Sequence, residues 1–228
     1  MSKKAVCIIS GGMDSALSSK IAKLDGYDII ALHFNYGQRT QKRELKAFRD
    51  IAKYLEAKKT YEIDLDFFKS IGASALIDKN LDVPTSGLSD GIPITYVPFR
   101  NGIFLSIATS IAEKEGAEAI YIGVVEEDSS GYPDCRESYI KAMEKAINLG
   151  TKDETNIKIR MPLVHLKKEE IVKRALALGV PLDKTWSCYQ SEDIACGVCD
   201  SCRLRLKGFK LAGVLDLIKY NSSKNFSE

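Results

Sequence analysis

The segment Ser10-Gly11-Gly12-Met13-Asp14-Ser15 follows the apolar run Ala5-Val6-Cys7-Ile8-Ile9 and opens a helical pattern. A buried strand that turns straight into a helix leaves backbone N–H groups aimed at one point, where the helix dipole also favours an anion. Gly11 and Gly12 let that backbone approach phosphate oxygens, and Ser10 and Ser15 add hydroxyl donors. Asp14 fits beside phosphate if it holds Mg²⁺, caps the helix, or both, because hard divalent cations take oxygen ligands and bridge to phosphate. With Ile9 and Met13 at its edges, the segment is the expected ATP-binding loop. The longer GxxxxGK[ST] loop is absent. The structural alternative is a tight strand-to-helix turn with a Ser/Asp cap.

A second cluster lies late in the chain. Four of the six cysteines, Cys188, Cys196, Cys199 and Cys202, fall at C-x7-C-x2-C-x2-C spacing around Gly197. In a reducing compartment this pattern reads as a metal site rather than as disulfides. Four local thiolates with no open position suit one tetrahedral, structural Zn²⁺ per chain, although an iron–sulfur cluster accepts the same ligand type. Cys7 lies inside the first apolar run and is expected to be an ordinary core residue.

These groups need a scaffold, and the periodicity supplies one. Helical stripes are expected over Asp14–Leu24 and Gln41–Leu55, with buried strands at Tyr27–Phe34 and Thr60–Leu65. This βαβαβ opening predicts an α/β fold: a Rossmann-like parallel sheet with helices on both faces, whose ligands collect at the carboxyl ends of the strands. The loop at Ser10 and the segment His33–Arg39 both lie at such ends. Asp66–Thr95 has Pro84, Pro93, Gly87 and Gly91 without a sustained period and is expected to be a long loop or lid. Regularity returns with a helix over Asn101–Glu115, a strand at Ala119–Val124, a polar loop to Arg136, a helix over Glu137–Asn148, a strand near Ile157–Met161 and a helix over Lys168–Leu178. The expected organisation is an ATP-binding α/β domain over residues 1–185, with an insertion near 66–95, and a small zinc-binding module and helix over 186–228. The tail from Asn221 is expected to fray.

The 228 residues carry 33 basic and 31 acidic side chains, a formal net charge of +2, so no strong field steers the chain toward nucleic acid or membrane. Small-molecule substrates fit that balance, and neither direct nucleic-acid nor membrane partnership is expected. No export signal or spanning run is apparent, which predicts a cytoplasmic protein.

The SGGxDS pattern resembles the PP-loop of N-type ATP pyrophosphatases. Together with HFNYGQR from His33, VPFRNGIFLSIA from Val97, SGYPDCR from Ser130, TWSCY from Thr185 and CGVCDSC to Cys202, it resembles the 7-cyano-7-deazaguanine synthase family over roughly Ala5–Ala212. The resemblance implies ATP-dependent conversion of 7-carboxy-7-deazaguanine and ammonia to 7-cyano-7-deazaguanine (preQ0) in queuosine biosynthesis, through an adenylated carboxylate and then an amide. It also implies a homodimer. In that reading Ser10–Ser15 hold the ATP phosphates and Mg²⁺, and Lys168 matches a family lysine that neutralises phosphate charge, the alternative being a solvated helix-start lysine. Arg100 and Asn101 are candidates for holding substrate or nucleotide, or else a surface arginine with a capping neighbour. His33 is expected as a satisfied ring near the nucleotide. Asp134 and Arg136 are candidates for the deazaguanine edge, although Pro133-Asp134 also suits a turn. Cys135 as a thioester-forming nucleophile is disfavoured, because an adenylate is already electrophilic. Two other readings stay open: a PP-loop tRNA thiolase or lysidine-type enzyme, and a nucleotide-binding or zinc-ribbon interaction module.

Overall fold

The computed structural model describes residues 2–85, 91–126 and 131–221. Strand β1 (Lys4–Ile8) leads through the Ser10 loop into α1 (Met13–Leu24), and β2 (Asp28–Asn35), α2 (Gln41–Tyr54) and β3 (Lys59–Asp64) complete the first half. Then follow α3 (Phe67–Ile71), α4 (Arg100–Glu115), β4 (Ala119–Tyr121), α5 (Glu137–Leu149), β5 (Lys158–Arg160), α6 (Lys168–Ala177) and α7 (Asp200–Ala212). The strands form one parallel sheet in the order β3-β2-β1-β4-β5, as the βαβ rhythm predicts. Strand β1 sits in the middle, with β2 on one side and β4 on the other. The chain leaves β1 in one direction and later returns to its opposite edge, so the carboxyl end of β1 is the switch point where such sheets open a ligand crevice.

Both faces of the sheet are covered, which is why β1 and β2 read as continuous apolar runs rather than as alternating ones. Residues still divide by parity. Ala5, Cys7, Ile29 and Ala31 join the core under α1, α2 and α6, whereas Val6, Ile8, Ile30, Leu32 and Phe34 join the core under α4 and α5. Helix α2 supplies Phe48, Ile51 and Ala52 to the first core, the spacing of a single helical stripe. Each large aliphatic side chain buried this way contributes about 1.5–3 kcal/mol. Among the described residues no helix is long and apolar enough to cross a membrane.

The segment expected to be a long irregular loop or lid is partly built in. It contains α3, and Phe68, Ala75, Leu76, Ile77 and Val83 are buried. The Arg39 guanidinium holds it from outside by donating to the carbonyls of Ala75, Asp78 and Leu81. Its residues 86–90, including Gly87, lie outside the described residues, as do residues 127–130 of the polar loop, Ser130 of the SGYPDCR motif among them, and the tail from residue 222. The last segment packs back onto the first half. Trp186, Cys188, Cys199 and Cys202 share a third core with Ala47 of α2 and with Ala75 and Val83, and α7 lies against α6.

Candidate active site

A cleft of about 260 Å³ opens at the carboxyl end of β1. Ile9, Ser10, Gly12, Met13, Asp14 and Ser15 form its floor, as expected. No side chain caps the start of α1, so its first-turn amides are available to an anion. The loop braces itself. Ser15 Oγ donates to the Gly12 carbonyl at 2.9 Å and accepts from the Ser10 amide at 3.2 Å, and Ser10 Oγ accepts from the Gly12 amide at 3.3 Å.

The two glycines differ. Gly11 does not line the cleft; its φ is +94°, and a Cβ there would stand 2.7 Å from the Glu44 carbonyl oxygen of α2. The absence of a side chain at Gly11 is thus required by close packing against α2. Gly12 meets nothing closer than 3.4 Å and faces the cleft. A close approach not foreseen is that of Gly123 after β4, where a Cβ would fall 2.6 Å from the Ser15 nitrogen. A larger residue there would push the β4 end away from the loop.

Asp14 Oδ2 accepts from Lys168 Nζ at 2.8 Å, while Asp14 Oδ1 is buried with no partner. Lys168, first residue of α6, is only 6% exposed, so it is not a solvated surface lysine. An orphaned carboxylate oxygen beside an uncapped helix start fits a divalent cation bridging to phosphate.

Arg100 lies across the cleft at the start of α4. Phe99 before it adopts a left-handed φ of 54°, a strain of about 1–3 kcal/mol for a bulky residue. The Tyr96 hydroxyl accepts from the Phe99 amide at 2.9 Å and helps to hold that turn. Arg100 Nη1 donates to the Tyr36 hydroxyl at 2.9 Å, its guanidinium stacks over the Tyr36 and Tyr132 rings, and its Nε is buried without a partner. A cation held among aromatic faces with an unused donor is built to receive an anion. Asn101 also lines the cleft, donating Nδ2 to the Asp134 carbonyl and to Cys135 Sγ, both at 3.3 Å.

Three other expected residues are not brought to the walls. The His33 ring is buried, stacked on Phe48 at 4.9 Å with Nδ1 2.8 Å from the Ile9 carbonyl, and burial pulls its pKa below the ordinary imidazole value. Asp134 is a cap: its Oδ2 accepts from the Asn101 amide at 2.9 Å and so serves the α4 N-terminus. Arg136 is exposed at the start of α5, outside the lining. Cys135 does line the cleft, but burial and the neighbouring Asp134 push its thiol up to about 12, which leaves almost no thiolate for nucleophilic attack.

The far wall comes from the C-terminal segment: Trp186, Ser187, Tyr189, Ser201, Leu204 and Arg205. The Trp186 amide donates to the Gly11 carbonyl at 2.9 Å, tying this wall to the loop. Cys188 follows two residues later. The Sγ atoms of Cys188, Cys196, Cys199 and Cys202 all lie within 4.8 Å of one another, and those of Cys196 and Cys202 are 3.9 Å apart. A metal–sulfur distance of about 2.3 Å implies a tetrahedral edge near 3.8 Å, so the four thiolates could hold a metal. Amides of Gln190, Ser191 and Cys196 point at Cys188 Sγ, and those of Val198 and Cys199 at Cys196 Sγ, all at 3.3–3.5 Å. Such donors stabilise thiolate charge. Tyr36 and Gln38, inside the segment His33–Arg39 expected at a strand end, do line the cleft, and so does Glu44 in the first turn of α2, which sequence reasoning passed over.

The family model described as "Queuosine biosynthesis protein QueC" matches residues 4–213. A 7-cyano-7-deazaguanine synthase of Sulfurovum sp. (strain NBC37-1) is 74% identical over 220 residues, 96% of this chain and 99% of that protein. One of Campylobacter curvus (strain 525.92) is 64% identical over 218 residues, 96% of this chain and 98% of its own length. Among solved structures, a 4-thiouridine synthetase–RNA complex with bound ATP matches with a TM-score of 0.53 at 23% identity, covering 78% of this chain and 41% of that chain. NMN synthetase from Francisella tularensis matches with a TM-score of 0.52 at 17% identity, covering 94% of this chain and 79% of that one. These two likenesses speak to the fold alone. By the family model and its relatives, the chain belongs to the queuosine biosynthesis protein QueC family.

Proposed function

We propose that this chain is a 7-cyano-7-deazaguanine synthase, which converts 7-carboxy-7-deazaguanine, ammonia and ATP into preQ0 through an adenylated carboxylate and an amide. The observation that carries the reading is the Asp14–Lys168 pair beside an uncapped helix start, facing Arg100 across one cleft, in a chain of this family. A carboxylate resists nucleophiles until its oxygen becomes part of a leaving group, and the cleft holds the two kinds of group that this demands. Gly12 and the first-turn amides of α1 receive the phosphates, and Lys168 offsets charge as pyrophosphate departs. Arg100 holds the substrate carboxylate against the α-phosphate, and Asn101 fixes the wall beside it. Asp14 would hold Mg²⁺, which when bound supplies charge neutralisation on the polyphosphate. The amide, retained in the same cleft, is activated at its oxygen in turn and loses water to give the nitrile.

The four cysteines would hold one structural Zn²⁺ that fixes the Trp186 wall. Exposed Leu211, Val214, Leu215 and Leu217 around the end of α7 offer an apolar surface for the expected homodimer. The test is a product-mass assay with purified protein, 7-carboxy-7-deazaguanine, ammonium and Mg·ATP. Nitrile should form, and Lys168→Ala should lower kcat about a hundredfold or more. No nitrile from metal-replete, nucleotide-binding protein would overturn the assignment.

A further inference from the structure

Amide formation consumes ammonia, yet near neutral pH almost all of it is ammonium, which has no lone pair for attack. Some group in the cleft has to take a proton. Among the described residues of the lining, two carboxylates, Asp14 and Glu44, could accept it. No histidine lines it: His33 is buried in the core, and His165 is exposed, 3.2 Å from Glu137. Burial pushes the Tyr36 hydroxyl and the Cys135 thiol each up to about 12. Asp14 is engaged by Lys168 and assigned to the polyphosphate.

Glu44 is placed for the task. It lies in the first turn of α2, directly behind the phosphate loop, since its own carbonyl is what excludes a side chain at Gly11. Thr40 Oγ1 donates to its Oε1 at 2.6 Å, and Gln38 Nε2 donates to its Oε2 at 3.2 Å. The Gln38 amide cannot be turned round, because its Oε1 accepts from the Tyr36 amide at 2.8 Å. Each carboxylate oxygen thus takes one donor and keeps one acceptor position. A half-buried carboxylate with two acceptor sites left, on a cleft wall, is a receptor for a small N–H cation.

We propose that the Glu44 carboxylate binds ammonium in the cleft and takes one proton from it, releasing ammonia to attack the activated carboxyl carbon. This rests on the proposed function. One N–H bond breaks and its proton passes to a Glu44 oxygen; the freed lone pair forms the C–N bond. The bond from carbon to the AMP oxygen then breaks with its electrons leaving on AMP, and a second proton passes from nitrogen to water. Burial raises the Glu44 carboxyl to about 7, against the Thr40 and Gln38 hydrogen bonds and the Arg100 charge from α4, and with help from Glu192 in the segment after Trp186. Lys168 of α6 and Arg205 of α7 face the same cleft, the first on Asp14 and the second on Asp216. A base of that strength is matched to neutral operation.

The experiment compares wild type, Glu44→Gln and Glu44→Asp in ammonium-dependent product formation, with carboxylate-dependent ATP–pyrophosphate exchange measured without ammonium. For Glu44→Gln, kcat/KM for ammonium should fall about a hundredfold at neutral pH, and less than about tenfold in alkaline buffer, where free ammonia needs no base. Glu44→Asp should recover part of the neutral-pH rate, and exchange should persist in both variants. An unchanged ammonium kcat/KM and pH profile in Glu44→Gln would overturn the proposal. So would loss of exchange in step with amidation, which would make Glu44 a support of the phosphate loop. Absence of exchange and product in wild type would instead defeat the synthase assignment.

Discussion

The Ser10–Ser15 loop contains adjacent glycines whose replacement should have opposite consequences. At Gly11, φ is +94° and a Cβ would lie 2.7 Å from the Glu44 carbonyl oxygen and 3.1 Å from Ala47 Cβ. Alanine there costs about 1–2 kcal/mol for the left-handed backbone and about 1–3 kcal/mol for overpacking against main chain that cannot swing aside. A sum near 3 kcal/mol, at roughly 2–4 °C per kcal/mol for a chain of this size, lowers the melting temperature by about 10 °C. At Gly12 the backbone is extended, with φ −80° and ψ 164°, and the closest atoms are Ser10 Oγ at 3.4 Å and the Trp186 carbonyl at 3.6 Å. Alanine there costs about 1 kcal/mol or less as an N-cap change. Because Gly12 lines the cleft, its loss should appear in function, as an ATP KM raised about tenfold. Scanning calorimetry and ATP titration of Gly11→Ala and Gly12→Ala separate the two. If Gly11→Ala melts with the wild type while Gly12→Ala unfolds early, the assignment of Gly11 to packing and Gly12 to phosphate is wrong.

Other expectations concern the groups around this loop. Asp216 accepts from Arg205 Nε at 2.5 Å and Nη2 at 3.0 Å and from the Tyr220 hydroxyl at 2.7 Å, with both charged side chains buried. Asp216→Ala strands the guanidinium and should cost about 3–5 kcal/mol in urea unfolding, whereas a well-packed apolar pair replacing both residues should recover much of it. Chelation of a metal held by the four cysteines, or Cys199→Ser, should lower the melting temperature and also weaken ATP binding, because the Trp186 amide that holds Gly11 lies two residues from Cys188; equal ATP affinity with and without metal would uncouple them. The raised Glu44 carboxyl predicts a pH effect on stability. The unfolded chain ionises near its ordinary 4.5 and the folded chain near 7, so the folded state binds more protons between those values and stability falls as pH rises across that window. Glu44→Gln removes this cost and should stabilise the protein by about 1–3 kcal/mol above neutral pH; equal unfolding free energies for variant and wild type at pH 5 and pH 8 would refute the shift.

What could be read from the sequence was what depends on near neighbours. The apolar run before Ser10, the stripe Phe48-Ile51-Ala52 and the cysteine spacing are local patterns, and each became the strand, helix or cluster expected. Helix α3 was missed because five residues hold too few turns to show a period. For Asp134, read as a substrate contact or a turn residue, the sequence could not display the bond its Oδ2 makes to an amide at the start of α4, thirty-three residues earlier in the chain.

His33 shows how far strand parity alone places a side chain. It follows a buried strand and is one of two histidines, which makes it attractive by residue type. Yet Ile29 and Ala31 of β2 face the core under α2, and His33 shares their parity, whereas Phe34 faces the other way. The ring was therefore committed to the sheet face, where it stacks on Phe48, while the ligand crevice lies beyond the strand ends. Beside Ile8 and Phe34 at the strand ends themselves, the crevice takes residues from after the strands stop: Tyr36 and Gln38 past β2, Gly123 past β4, Asp14 past β1. The same geometry explains why the loop motif and the cysteine motif, at opposite ends of the chain, meet. The segment after α6 runs past the carboxyl edge where Gly11 leaves a carbonyl unpaired by the sheet, and the Trp186 amide takes it. A backbone acceptor buried at that depth needs a partner, so the wall bearing Trp186 completes the Ser10–Ser15 loop.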